Sequence, residues 1–209
     1  MITNEKQVKV SANLLHMYKR ELNLLRGDEY IYDLVELLNR EDYSPLKNRV
    51  MMGSQKIKKG YQESQISKIL NKSGSYRELE ALVEGDLNKM AKIISNYLIA
   101  WEQVYGVSYQ DPGKDTLTKI SGLRYVFYLF PVMLDILTQR QKPASTAEFK
   151  AIIEMLPDAV EVEDVFTDPT TAPAYKGEGA TITLVKQHIP KLKAYEQTHK
   201  NNFDISEGI

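Results

Sequence analysis

Residues 79–101 read LEALVEGDLNKMAKIISNYLIAW and carry the strongest periodic signal in the chain. Leu79, Leu82, Val83, Leu87, Met90, Ile93, Ile94, Tyr97, Leu98 and Trp101 return to one face at helical spacing. This pattern predicts one long helix as the spine of a mainly α fold, a multi-helix globular domain with at most a short β-hairpin near residues 49–60.

Upstream, Ser11 offers an N-cap, and Leu14, Leu15, Tyr18, Leu22 and Leu25 form the inward stripe of a first helix that Gly27 stops. Asp28 caps a second helix with Ile31, Leu34, Val35 and Leu38 inward, ending before Tyr43-Ser44-Pro45. The helical period then vanishes from Leu46 to Gly60, where Arg49-Val50-Met51-Met52, Gly53-Ser54 and Ile57 suit an extended or hairpin segment. A short helix resumes over 62–70 and closes at Ser73-Gly74-Ser75.

Downstream, Asp111-Pro112-Gly113 marks a loop, and residues 117–138 return to a central, all-round apolar helix kinked by Pro131. Ser145 and Glu148 stand at capping-box spacing ahead of Phe149, Ile152, Ile153 and Leu156. An acidic stretch and an irregular Asp168–Pro173 loop lead to a last helix with Ile182, Val185, Ile189 and Leu192, interrupted at Pro190. One domain over 1–200 and a tail over 201–209 are expected.

The 209 residues include 27 Lys and Arg against 28 Asp and Glu, so the net charge of −1 exerts no global pull on nucleic acid or membrane. Cysteine is absent, which excludes disulfides and thiolate chemistry and fits a cytoplasmic location. Met1 to Val10 contains no apolar signal segment. The apolar run Tyr125–Leu134 is shorter than the roughly 20 residues of a membrane span, so no membrane partner is expected.

No dinucleotide, Walker or nucleophile-elbow motif is present, and His16, His188 and His199 lack the spacing of a helical zinc site. His16 reads as structural, Gly177-Glu178-Gly179 as a turn before a helix start, and Glu161, Glu163 and Asp164 as a solvated acidic loop. No catalytic residue, metal or cofactor is predicted, and an enzyme is the less favoured class. Residues 47–72 stand out instead. Seven cations, Lys47, Arg49, Lys56, Lys58, Lys59, Lys68 and Lys72, face Glu63 alone, a net +6 with Tyr61 among them. Such a cluster suits phosphate-backbone contact, with Lys47, Arg49, Lys56, Lys58, Lys59 and Lys68 as candidate contacts, or serves as a solvated or protein-docking face.

Asn4, Gln7, Val10 and Ser11 stand in the register of the "Ile-Asn-x-x-Gln-x-x-Val-Ser" passage of DGQHR-domain proteins, with Thr3 in place of the usual isoleucine. Ser44-Pro45-Leu46-Lys47-Asn48-Arg49-Val50 resembles that family's "Ser-Pro-Leu-x-x-Arg-Ile" passage. Tyr97, Trp101 and Ile120-Ser121-Gly122-Leu123 are similar in order to its C-terminal helical half. The Asp-Gly-Gln-His-Arg signature and its ParB-like α/β half would lie before Met1. The resemblance implies a bacterial DNA-modification or phage-defence setting, the family including the regulator of Dnd phosphorothioation, and transfers no active site. Two functions follow as expectations. One is a non-catalytic DNA-associated or regulatory protein using the basic segment. The other is an interaction module that completes or inhibits a partner, such as one supplying the ParB-like half, through an exposed apolar patch near Ile2, Val8, Val10 and Leu14.

Overall fold

Glu84-Gly85-Asp86 divides the predicted spine. Glu84 and Gly85 take left-handed backbone, at φ 54° and 76°, and the Asp86 carboxylate accepts from the amides of Asn88 and Lys89, capping a new helix. The computed structural model, which describes residues 10–25, 29–160 and 177–200, therefore holds two helices where periodicity predicts one. The apolar spacing survives the break, so periodicity alone does not register it.

The elements in order are α1 (Ala12–Glu21), α2 (Glu29–Arg40), β1 (Val50–Met51), β2 (Tyr61–Gln62), α3 (Glu63–Lys72), α4 (Ser75–Leu82), α5 (Leu87–Tyr105), α6 (Ile120–Gln139), α7 (Thr146–Ile153), α8 (Leu156–Val160) and α9 (Glu178–Lys200). The mainly helical, multi-helix fold is as expected. The hairpin is not: β1 and β2 pair in parallel, Val50 with Tyr61 and Met51 with Gln62. Residues 52–60 loop back because Gly53, at φ 52°, turns the chain against the Met17 side chain, and Tyr61 is anchored by its hydroxyl donating to the Thr118 carbonyl at 2.7 Å.

The core lies where α5 packs against α2 and α7, and α6 packs against α9, α4 and α3. Tyr97 sits at its centre, its ring 4.6 Å from Phe130 and 5.1 Å from Phe149, and its hydroxyl donates to the Val126 carbonyl at 2.7 Å. Gly122 lies so close to the backbone of Thr116 and Leu117 that any side chain there would collide. Helix α6 is long and apolar enough, by length and composition, to cross a membrane, yet 67% of its most apolar window is buried in the protein.

Pro131 lies inside α6 and donates no hydrogen bond to the Phe127 carbonyl one turn back. The Ser75 hydroxyl, fully buried at the start of α4, fills that position by donating to the Phe127 oxygen at 2.8 Å. The proline thus ties α6 to α4. Replacing Ser75 by Ala strands a buried carbonyl and is expected to cost about 1–3 kcal/mol in urea unfolding. In a Pro131→Ala background, where a backbone amide can return to Phe127, the same change should cost clearly less; equal costs in both backgrounds would refute the tie.

Candidate functional site

Helix α1 packs with its polar face inward. Asn13, His16 and Arg20, at i, i+3 and i+7, all reach the body of the protein. The Asn13 amide donates to the Met51 carbonyl at 2.8 Å and accepts from the Ser64 hydroxyl at 2.8 Å. His16 Nδ1 lies 2.8 and 2.9 Å from the two oxygens of Glu63, whose side chain has no solvent exposure. A carboxylate only accepts, so this ring nitrogen carries the proton. Ser67 donates a 2.5 Å bond to the same carboxylate. Arg20 grips Asp33 of α2 bidentately at 2.9 and 3.0 Å, and the Tyr32 ring meets His16 edge-on. Burial, and then the charge of Glu63, pushes the Tyr32 phenol up to about 12.

The opposite face of α1 is therefore apolar and turned outward. Leu15, Tyr18 and Leu22, also at i, i+3 and i+7, are 48%, 46% and 66% exposed, and Val10, Leu24 and Tyr30 extend the surface at about half exposure or more. The expected inward stripe of Leu15, Tyr18 and Leu22 is thus inverted, because the Glu63 carboxylate, the Met51 carbonyl and Asp33 draw the polar side chains of α1 inward. Leu25 is buried and Leu14 half-buried. Of the predicted interface residues, Val10 is exposed as expected, while Ile2 and Val8 lie outside the described residues. The helix also ends earlier than Gly27 would stop it, at Leu22, followed by Asn23 at φ 54°.

The basic segment separates into three parts. Lys47 pairs with Asp42, and the Arg49 guanidinium donates to Gln110 at 2.9 Å. Gln110 also donates to the Pro45 carbonyl at 2.7 Å and the Ser44 hydroxyl accepts from the Leu46 amide, so the Ser-Pro-Leu-Lys-Asn-Arg passage is a clamped turn beside a polar hollow of about 600 Å³. Lys68 and Lys72 both hold Glu178 of α9, at 3.0 and 2.8 Å. Only Lys56, Lys58 and Lys59, on the loop between β1 and β2, are exposed cations of this segment with no acidic partner among the described residues. Glu63, counted by sequence against this charge, is buried and offsets none of it at the surface.

His188 is buried in α9, 2.8 Å from the Tyr125 hydroxyl, and burial lowers its pKa to about 4, so it sits there neutral. Glu196 is buried against Arg140 at 3.1 Å. Glu161, Glu163 and Asp164 lie outside the described residues, as does the side chain of His199. Among the described residues no three His, Asp or Glu side chains are grouped to hold a metal ion. The Ser67 hydroxyl points to Glu63 rather than to an imidazole, so His16, Glu63 and Ser67 form a structural cluster and not a nucleophile–base relay. No family model matches the chain, and neither a curated protein nor a solved structure is significantly similar to it.

Sequence reasoning placed neither Glu63 in the interior nor the stripe of α1 outside; the one available signal was that Asn13, His16 and Arg20 share a face. Replacing His16 by Ala leaves Glu63 buried with Ser67 alone, which is expected to cost about 3 kcal/mol. Hydrogen exchange should quicken first in α1, ahead of α5 and α6; an α1 as protected as in the parent would refute the polar anchor.

Proposed function

We propose that this chain is a non-catalytic helical interaction module that completes or regulates a partner protein, which docks on the outward apolar face of α1. The inverted packing of α1 carries the reading. A helix held to its own fold by hydrogen bonds, with leucines and a tyrosine in water, leaves a contiguous apolar surface of the kind that marks interfaces. The resemblance to the C-terminal half of DGQHR-domain proteins supplies the occupant: an α/β, ParB-like domain seated over α1, in a bacterial DNA-modification or defence setting. Two copies of α1 fit each other poorly. Ten residues give a helix about 15 Å long, too short to bury the roughly 1,200 Å² of a stable pair.

Photo-crosslinking from position 22, in cells of the source, tests this. One product containing an α/β partner is expected, lost when Leu15 and Tyr18 become Glu and kept when Lys56, Lys58 and Lys59 become Glu. No product, a second copy of this chain, or a product indifferent to the Leu15 and Tyr18 changes would refute the reading.

A second reading rests on Lys56, Lys58 and Lys59, three cations on one loop with no acidic partner among the described residues. It holds that the module also touches a nucleic-acid backbone. A short DNA duplex should then shift on a native gel at about 50 mM salt, and the shift should vanish at higher salt or in the triple Glu variant. Binding that survives the triple change would place any DNA contact elsewhere.

A further inference from the structure

Between α1 and α3 lies a cleft of about 300 Å³, at the small end of ligand-binding cavities. Leu15 and Ile31 provide apolar lining, and His16, Lys19, Lys68 and Lys72 are the basic residues that line it. The nearby acids are few. Glu63 lies behind the cleft, buried and occupied by His16 and Ser67, and Lys19 has no acidic partner among the described residues. The remaining carboxylate, Glu178, takes one lysine on each oxygen, Lys72 at 2.8 Å and Lys68 at 3.0 Å. Those bonds hold its carboxyl down to about 2.

We propose that this cleft binds a small phosphomonoester, its phosphate held by Lys68 and Lys72 and its body over Leu15 and Ile31, with the Glu178 carboxylate as an internal placeholder for the phosphate. The lysine pair is already arranged around an oxyanion, one ammonium to each of two oxygens. A phosphate offers three acceptor oxygens and a charge near −2, so it can keep both bonds and add Lys19 across the cleft. The apolar lining is of no use to inorganic phosphate and favours a ligand with a planar or hydrocarbon body.

Displacement of Glu178 is local. It is the first residue of α9, which is otherwise packed on α6 and α8, and it stands between Gly177 and Gly179, neither of which has a neighbouring side chain or backbone within 4 Å of where a Cβ would lie. The Glu178 side chain can therefore let go of α3 while Thr181, buried later in the same turn, keeps the helix seated. Ligand binding and the attachment of α9 to α3 compete for the same two lysines. The site is separate from the docking of a partner on α1, although Leu15 borders both.

Isothermal titration with inorganic phosphate and with AMP, at about 50 mM salt, tests the site in the whole chain. Saturable binding is expected, stronger for AMP than for phosphate. It should tighten about fivefold in E178Q, the scale of its two exposed ion pairs released, and be lost in K68A/K72A. Flotation with vesicles containing phosphatidic acid distinguishes the sources: E178Q-enhanced flotation lost in K68A/K72A would assign the phosphate to a lipid headgroup, and AMP binding without flotation would assign it to a soluble ligand. Circular dichroism confirms that each variant is folded, which the exposed positions of both lysines favour. Absence of saturable binding and flotation in both the parent and E178Q overturns the proposal, as does binding that K68A/K72A leaves unchanged. A Glu178 that serves only as a structural tie predicts the opposite pattern for E178Q, lower stability and no gain in affinity.

Discussion

A carboxylate shut off from water must be met by donors, and Glu63 is such a carboxylate. It opens α3 directly after β2, and its two oxygens are reached by His16 of α1 and by Ser67 one turn on. The same corner brings the Met51 carbonyl of β1 to Asn13. Helix α1 can satisfy both only by turning Asn13 and His16 inward, and Arg20, one turn further, then falls on Asp33 of α2. The outward direction of Leu15, Tyr18 and Leu22 is a consequence of that requirement. Helix interfaces are usually apolar; here the buried carboxylate of α3 decides in favour of polar contacts, and the apolar side chains of α1 are left facing outward.

The aromatic centre is built without α1. Tyr97, Trp101, Phe130 and Phe149 make an aromatic centre between α5, α6 and α7, and the Tyr97 hydroxyl inside it donates to the Val126 backbone carbonyl. Ser75 to Phe127 and Tyr61 to Thr118 follow the same rule. Each bond joins separate elements, and the one from Ser75 meets the carbonyl that Pro131 leaves open. A rigid interior of this kind supports a periphery in which α1, the loop between β1 and β2, and the first turn of α9 present charges and apolar side chains to solvent.

Local signals in the chain were read correctly where they act over a few residues. Ser11 and Ser145 cap helices by accepting from Leu14 and Glu148, and α2 ends at Arg40, ahead of Tyr43-Ser44-Pro45. Glu84-Gly85-Asp86 was also legible, as a stop followed by a cap, but the uninterrupted apolar spacing around it suggested one helix. The parallel pairing of β1 with β2 was not legible, because two residues on each side carry no register and the direction of the return is set by where Tyr61 is anchored. The basic segment was visible as composition, whereas its division into paired and unpaired cations depends on Asp42, Gln110 and Glu178, the last of them more than 100 residues away.

The sequence by itself determined the class of fold, most helix positions and the residues of the core, because helical periodicity and capping are properties of neighbours three and four positions apart. It also determined that α1 has two faces, one polar and one apolar. Only the tertiary structure decided which face is covered. That choice belongs to Glu63, 47 residues beyond His16, whose burial cannot be read from its own neighbourhood and whose need for a hydrogen-bond donor outweighs the preference of leucines for the interior.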